Sequence, residues 1–235
     1  MNVSIIIPVK NEEKSIADVI RRINKSIKTD FETLIIYDTP SDPTKATAEK
    51  YIKEKKIKNI KLIQNNVGTK RGVINAIKTG IKASKGKAVL ITMADLSDDI
   101  TIVDKMYKLI EHGYDIVAAS RYMPGGQKIG GPFVKTFLSK AAGTTLRLLF
   151  RVPTHDATNA FKMYRKSIFK DIQIESTGGF EYSLEIVLKA FKKGYRITEI
   201  PTVWRDRQDG VSNFKMLEWL PKYIKTYFFI VRRNR

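Results

Sequence analysis

Apolar residues come in short runs separated by longer stretches with helical spacing. "VSIIIPV" (3–9), "TLIIYD" (33–38), "IKLIQN" (60–65), "AVLITM" (88–93) and "DIVAAS" (115–120) are β-branched and nearly continuous, as strands covered on both faces must be. Between them, 12–28, 43–56, 70–85 and 100–112 carry good helix formers with apolar residues three and four apart. Repeated βα units predict a doubly wound α/β sheet, mostly parallel, with right-handed crossovers and helices on both faces. Ligands of such sheets lie beyond the carboxyl ends of the strands. That rule puts Asn11, Glu12, Asp38, Asp95, Asp98, Ser120 and Arg121 along one edge.

The second half changes character. "RYMPGGQKIGGP" (121–132) holds four glycines and two prolines and reads as a loop or flap. A helix is expected over 133–150, a strand or loop over 155–164, and a helix over 179–194 closed by Gly194. An alternating strand follows over 195–204. Residues 214–235 form a basic, aromatic-rich helical segment with a kink at Pro221. There is no repeat or low-complexity linker, so one continuous domain over 1–213 followed by the 214–235 segment is the expected organisation.

Charge changes this picture most. The 235 residues carry 43 Lys and Arg against 24 Asp and Glu, a net charge of +19, which predicts attraction to an anionic partner or a Lys-rich solvated surface. Cysteine is absent, which removes disulfides and thiolate metal sites. The N-terminus has no basic leader or cleavage site and reads as a first strand. No window reaches the ~18–20 apolar residues of a membrane span.

Against that basic background, "MADLSDDI" (93–100) gathers Asp95, Asp98 and Asp99 at the end of a buried strand. Short carboxylates there suit Mg²⁺ or Mn²⁺ bridging to phosphates. They equally suit a helix N-cap, the better assignment for Asp99, whereas Asp95 precedes the cap position. "PVKNEE" (8–13) could be a cap with Asn11 at its head, and "YDTPSDPT" (37–44) sets Asp38 and then Asp42 before a helix. A P-loop and a dinucleotide fingerprint are both missing. His112 and His155 lack acids at ligand spacing.

Taken in order, "PVKNEE", "YDTPSDPT", "MADLSDD" and "ASRYMPGG", then "HDATNAFKMYRKSIF", "GGFEYSLEIVLKAFKKGYRITEIP" and "WRDRQDGVSNFK", resemble the family 2 glycosyltransferases of GT-A fold. The similarity is closest to the dolichol-phosphate mannose synthase and polyprenyl-phosphate branch, and it runs from about Ser4 to Lys215. It implies an inverting transfer from a nucleotide-diphosphate sugar, GDP-mannose or a UDP-hexose, to a polyprenyl phosphate. Pro8, Lys10, Glu12, Asp38 and Ala94 would line the nucleotide pocket. Asp95 would hold Mg²⁺ or Mn²⁺, with Ser97 or Asp98 completing the site. Arg121 and Arg207 would reach phosphates, Asp156 would position the acceptor, and the glycine-rich loop 125–131 would move over the site.

Four positions depart from the branch. Met93 stands where Asp is frequent, Ser97 where Gln is common, Tyr37 at the first acid of a double-Asp motif and Asn213 at a usual Lys. A lipid acceptor would explain the charge. Segments 133–150 and 214–235 could lie in the headgroups of an anionic membrane or pack on the sheet, and peripheral attachment at the cytoplasmic face is expected. Basic residues are spread through every helix and form no stripe, so nucleic acid is not an expected partner. A nucleotidyltransferase and a catalytically inactive homologue are the competing classes.

Overall fold

The protein is described by a computed structural model covering residues 1–66, 72–207 and 216–231. The expected strands form as β1 (Val3–Val9), β2 (Phe31–Tyr37), β3 (Ile60–Gln64), β4 (Ala88–Ile91) and β5 (Ile116–Ser120). Between them run α1 (Ile16–Ser26), α2 (Pro43–Glu54), α3 (Val73–Ala83) and α4 (Val103–Glu111), the last entered through a 3₁₀ turn at Ile100–Ile102.

Later come β6 (Gln127–Ile129), α5 (Phe133–Phe150), β7 (Lys162–Arg165), α6 (Tyr182–Lys192), β8 (Ile197–Pro201), β9 (Val203–Arg205) and α7 (Met216–Tyr227). A seven-stranded sheet has the order β3-β2-β1-β4-β7-β5-β8. Only β7 runs antiparallel, between β4 and β5. A second sheet pairs β6 with β9 in parallel.

The alternation along β1 explains the layers. Val3, Ile5, Ile7 and Val9 pack with α1, Ala48 of α2 and Val103, Met106 and Ile110 of α4. Ile6 turns the other way, joining Ile74 and Ile77 of α3 and Leu184, Ile186 and Val187 of α6. Both faces of the parallel strands are therefore buried, which is why their sequences are nearly continuously apolar.

The glycine-rich stretch differs from expectation. It is not irregular throughout, because Gln127–Ile129 pairs with Val203–Arg205. The 195–204 strand divides at Thr202, whose N–H bonds to Ser120 O at 3.1 Å, so its two parts serve different sheets. Helix α1 also begins later than 12. Asn11 lies in the left-handed region with φ 55°, and Ser15 immediately precedes the first turn, so Asn11 is no cap. Asn213 and the first residues of the 214–235 segment lie outside the described residues. Pro221 sits within α7.

Candidate active-site cleft

A cleft of about 1010 Å³ opens at the carboxyl ends of β1, β2, β4 and β5. Every site residue expected from the sequence lines it, with the single exception of Asp156: Pro8, Lys10, Glu12, Asp38, Ala94, Asp95, Ser97, Asp98, Arg121 and Arg207.

Where β1 and β2 end, local polar bonds hold the chain. Asp42 caps α2 through the Thr44 N–H at 2.9 Å and also accepts the Asn11 N–H at 3.2 Å, while Thr44 Oγ1 accepts the Glu12 N–H at 2.8 Å. One side-chain cap therefore fixes the turn after β1. Asp38 Oδ1 accepts from Asn65 Nδ2 at 2.7 Å, and Asn65 is locked in turn by Thr79 Oγ1 at 3.0 Å.

The acidic corner follows β4. Leu96 takes φ 62°, a left-handed turn that folds Ser97 back. Its N–H and Oγ both donate to Asp95 Oδ1, at 3.1 and 2.6 Å. Asp95 Oδ2 meets Arg207 Nη2 at 3.0 Å, and Arg207 Nη1 lies 3.8 Å from Glu12 Oε1. Burial holds the Glu12 carboxyl above the usual carboxylate range, with Arg207 opposing and Asp95 reinforcing the shift. Burial, and then the Asp95 charge, pushes Asp98 up to about 7, against hydrogen bonds from Thr92 and the Met93 backbone. Asp99 caps the following turn through Thr101. The donors gathered here are oxygens alone, from Asp95, Ser97 and Asp98. Among the described residues no group of three acidic, histidine or cysteine ligands forms.

Opposite the acids stands a basic wall. Asp156 is wholly buried and grips Arg121 in a fork, Nε to Oδ2 at 2.7 Å and Nη2 to Oδ1 at 2.9 Å. Burial alone would lower Arg121; the charge and hydrogen bonds of Asp156 more than offset it and lift the guanidinium above its ordinary range. Lys128 and Lys135 line the same wall. Both are lowered, Lys128 by burial and then Arg121, Lys135 by burial and then Arg207 with Asp206 opposing. Trp204 lies beneath, 5.2 Å from Lys128 Nζ and 6.0 Å from Arg121 Cζ.

The same cleft has an apolar lining, from Leu138 and Ala142 of α5 and from Leu220, Ile224 and Tyr227 of α7. Helix α5 approaches closely at Gly143, where a Cβ would meet His155 O at 1.9 Å. Only glycine lets α5 pack on the turn that carries Asp156.

Sequence reading missed several of these residues. Lys128 and Trp204 are brought together by the pairing of β6 with β9, and Lys135 comes from the first turn of α5. Lys162 is wholly buried; its Nζ donates to Ala157 O at 3.0 Å and Ser183 Oγ at 2.7 Å, and also to Asn159 O, tying down the loop after Asp156. Burial pushes it down to about 7. His155, with no acid at ligand spacing in sequence, meets Glu199 Oε1 at 2.5 Å across 44 residues.

Comparison with known proteins agrees with this geometry. The sequence model of "Glycosyl transferase family 2" matches residues 4–173. A dolichol-phosphate mannosyltransferase of Pyrococcus furiosus is 26% identical over 92% of the chain, which spans 60% of that protein's length. A polyprenol monophosphomannose synthase of Mycolicibacterium smegmatis is 25% identical, with 92% and 85% covered. Among solved structures, glucosyl-3-phosphoglycerate synthase of Mycobacterium tuberculosis, with Mn²⁺, UDP and phosphoglyceric acid, superposes with TM-score 0.74 at 13% identity. That match covers 100% of this chain and 80% of the other. A complex of the same enzyme with Mg²⁺ and UDP gives 0.70 at 14% identity, covering 97% and 79%. At such identities the structural likeness establishes the fold.

Proposed function

Because the chain belongs to glycosyl transferase family 2, we propose that it moves a sugar from a nucleotide-diphosphate donor, GDP-mannose or a UDP-hexose, to a polyprenyl phosphate at an anionic membrane surface. The observation that carries this reading is the lining of one cleft, which brings together strand-end acids, the bases Arg121, Lys128 and Lys135, and apolar side chains of α5 and α7. An activated sugar diphosphate, an acceptor phosphate and a hydrocarbon chain need those three kinds of surface within one cleft. The names of the two relatives, both transferases onto polyprenol-type phosphates, support the lipid acceptor.

Asp38, held by Asn65, would meet the nucleoside beside Pro8, Lys10, Glu12 and Ala94. The hard-oxygen donors Asp95 and Asp98, with Ser97 fixing Asp95, suit Mg²⁺ or Mn²⁺, which keeps water and phosphate ligands beside one or two carboxylates. When bound, that ion would neutralise the diphosphate as it leaves. Arg121, Lys128 and Lys135 bind and orient the acceptor phosphate. One phosphate oxygen attacks the anomeric carbon in line, the bond to the diphosphate breaks, and its electrons leave on the nucleotide. The attacking oxygen is already anionic at neutral pH, so no side chain has to take a proton. Asp156 acts through Arg121 and is a positioning residue.

The outer face of α5 supplies the membrane contact. Phe133, Phe137, Leu148 and Leu149 are 81, 62, 73 and 71% exposed. At about 100° per residue they share one arc with Val134 and Leu138, opposite the buried Gly143 and Leu146. An apolar arc flanked by Lys140 and Arg147 fits a headgroup layer, each nearby base adding about 1 kcal/mol on anionic lipid. No described helix is long and apolar enough to cross a membrane.

The test is direct. Purified protein would be given radiolabelled GDP-mannose, UDP-glucose or UDP-N-acetylglucosamine with polyprenyl phosphate in anionic vesicles, and the organic phase counted. Label should enter the lipid from one donor. No transfer from any donor by protein that binds nucleotide would mark an inactive homologue and contradict the proposal.

A further inference from the structure

Arg207 occupies an unusual place for a phosphate-binding arginine. Its guanidinium lies between two carboxylates, Nη2 at 3.0 Å from Asp95 and Nη1 at 3.8 Å from Glu12. Asp95 Oδ1 is already taken by the local turn at Ser97, so Arg207 holds the oxygen through which Asp95 faces a residue 112 positions away. The reason is electrostatic. The charge of Asp95 acts on Glu12 on one side and on Asp98 on the other, and like charges in a partly buried place are costly without an opposing one.

The backbone behind Arg207 is fixed while its side chain is long. Arg205 N–H bonds to Ser97 O at 3.1 Å and Asp206 N–H to Ile129 O at 2.9 Å. These bonds staple the end of β9 to the acidic turn and to the β6 strand. Turning the side chain breaks neither of them. Arg207 also acts electrostatically on Lys135 and lines the same cleft, in which the phosphates of a bound nucleotide would sit.

We propose that Arg207 is a resident counter-ion for Asp95 and Glu12. A divalent cation arriving with a nucleotide diphosphate takes its place on Asp95 Oδ2, and the released guanidinium turns to phosphate oxygens in the same cleft. A dication and a guanidinium on one carboxylate oxygen repel, so their occupancies are linked and each weakens the other. The inference rests on the diphosphate reading above for what receives the released arginine, but its first half concerns the metal alone.

Mn²⁺ binding to purified protein, read from loss of the free-ion electron paramagnetic resonance signal, tests it without turnover. Without nucleotide, Arg207→Ala should bind Mn²⁺ about tenfold more tightly than wild type, a typical size for coupling between two ligands. Arg207→Lys, which keeps the charge but loses the fork, should fall between them and serves if the alanine variant does not fold. Asp95→Asn should abolish binding in either background. GDP or UDP should narrow the gap, because it supplies the released arginine with a partner. Mn²⁺ binding that is unchanged or weakened in both Arg207 variants overturns the proposal. Tightening that neither nucleotide alters leaves the counter-ion role standing and overturns the nucleotide reading instead.

Discussion

The two ends of the cleft are built by different means. At the proposed nucleotide end, Glu12, Asp38 and Asp95 follow directly from buried strands, and their partners Thr44, Asn65 and Ser97 lie in the same or the next βα unit. At the proposed acceptor end, Arg121 is held by Asp156, Lys128 reaches Trp204, and Gly143 packs on His155. Of those pairs Lys128 and Trp204 join through a second small sheet, and the helices beyond them leave large apolar side chains in solvent. The first region gains precision from a sheet whose core is complete. The second keeps its surface unfinished, which suits a substrate that brings its own hydrocarbon.

If that division is right, substitutions at the two ends fail in different ways. The largest effect is expected at the nucleotide end. Asp95→Asn should lower sugar transfer by ~10²–10³, the scale of losing one preorganised electrostatic contact to the leaving group, with little change in unfolding temperature. A comparable loss of stability would show that Asp95 is structural.

Next comes Asp156→Asn, which leaves the Arg121 charge buried without its counter-charge. Removing one partner of a buried pair costs about 3 kcal/mol or more, a fall of roughly 6–12 °C in a chain of this size. Thermal unfolding should show that fall, and its transfer defect at 25 °C should be smaller than that of Asp95→Asn. An unchanged unfolding temperature would remove Asp156 from the framework of the acceptor end.

The combined change Phe133→Ser, Phe137→Ser and Leu148→Ser should leave stability untouched, because these side chains are already in solvent. Each forfeits about 1.5–3 kcal/mol of apolar burial if it enters lipid, so flotation with anionic liposomes should be lost. Undiminished flotation would mean that a different surface, or a second copy of the chain, meets this face.

A last prediction concerns Lys162. Its folded pKa of about 7 lies below the ordinary 10.5. Between those values the unfolded chain carries a proton that the folded protein lacks, so this group makes stability rise as pH increases from about 7 to 10. Below pH 7 both states are protonated and the slope vanishes. Lys162→Met should flatten the rise in urea unfolding across that window; an unaltered slope would assign it to other groups.

The same contrast explains what could be read from the chain. The strands of the first half appear within a few residues of their expected limits, because burial on both faces forces a continuous apolar run that is visible without partners. The acids at their ends follow from the same rule. The central, antiparallel placement of β7, the β6–β9 pair and the basic wall were not legible, since each depends on pairing across many residues. "QKI" at 127–129 carries no strand signal of its own. Asp99 reads better as a cap than as a metal ligand, and the cap to Thr101 is what forms. Exposure on α5 was likewise hidden, for its apolar arc looks in sequence like any helix packed on a sheet.

One experiment addresses the cleft most directly: thermal unfolding with GDP and with UDP, each with and without Mn²⁺, on wild type and on Asp95→Asn. At a hundredfold excess over its dissociation constant a ligand of the folded state adds about 2.7 kcal/mol, several degrees here. One nucleotide should raise the wild-type transition in the presence of Mn²⁺, and that rise should disappear in Asp95→Asn. No rise in wild type with either nucleotide would contradict a diphosphate site at the strand ends.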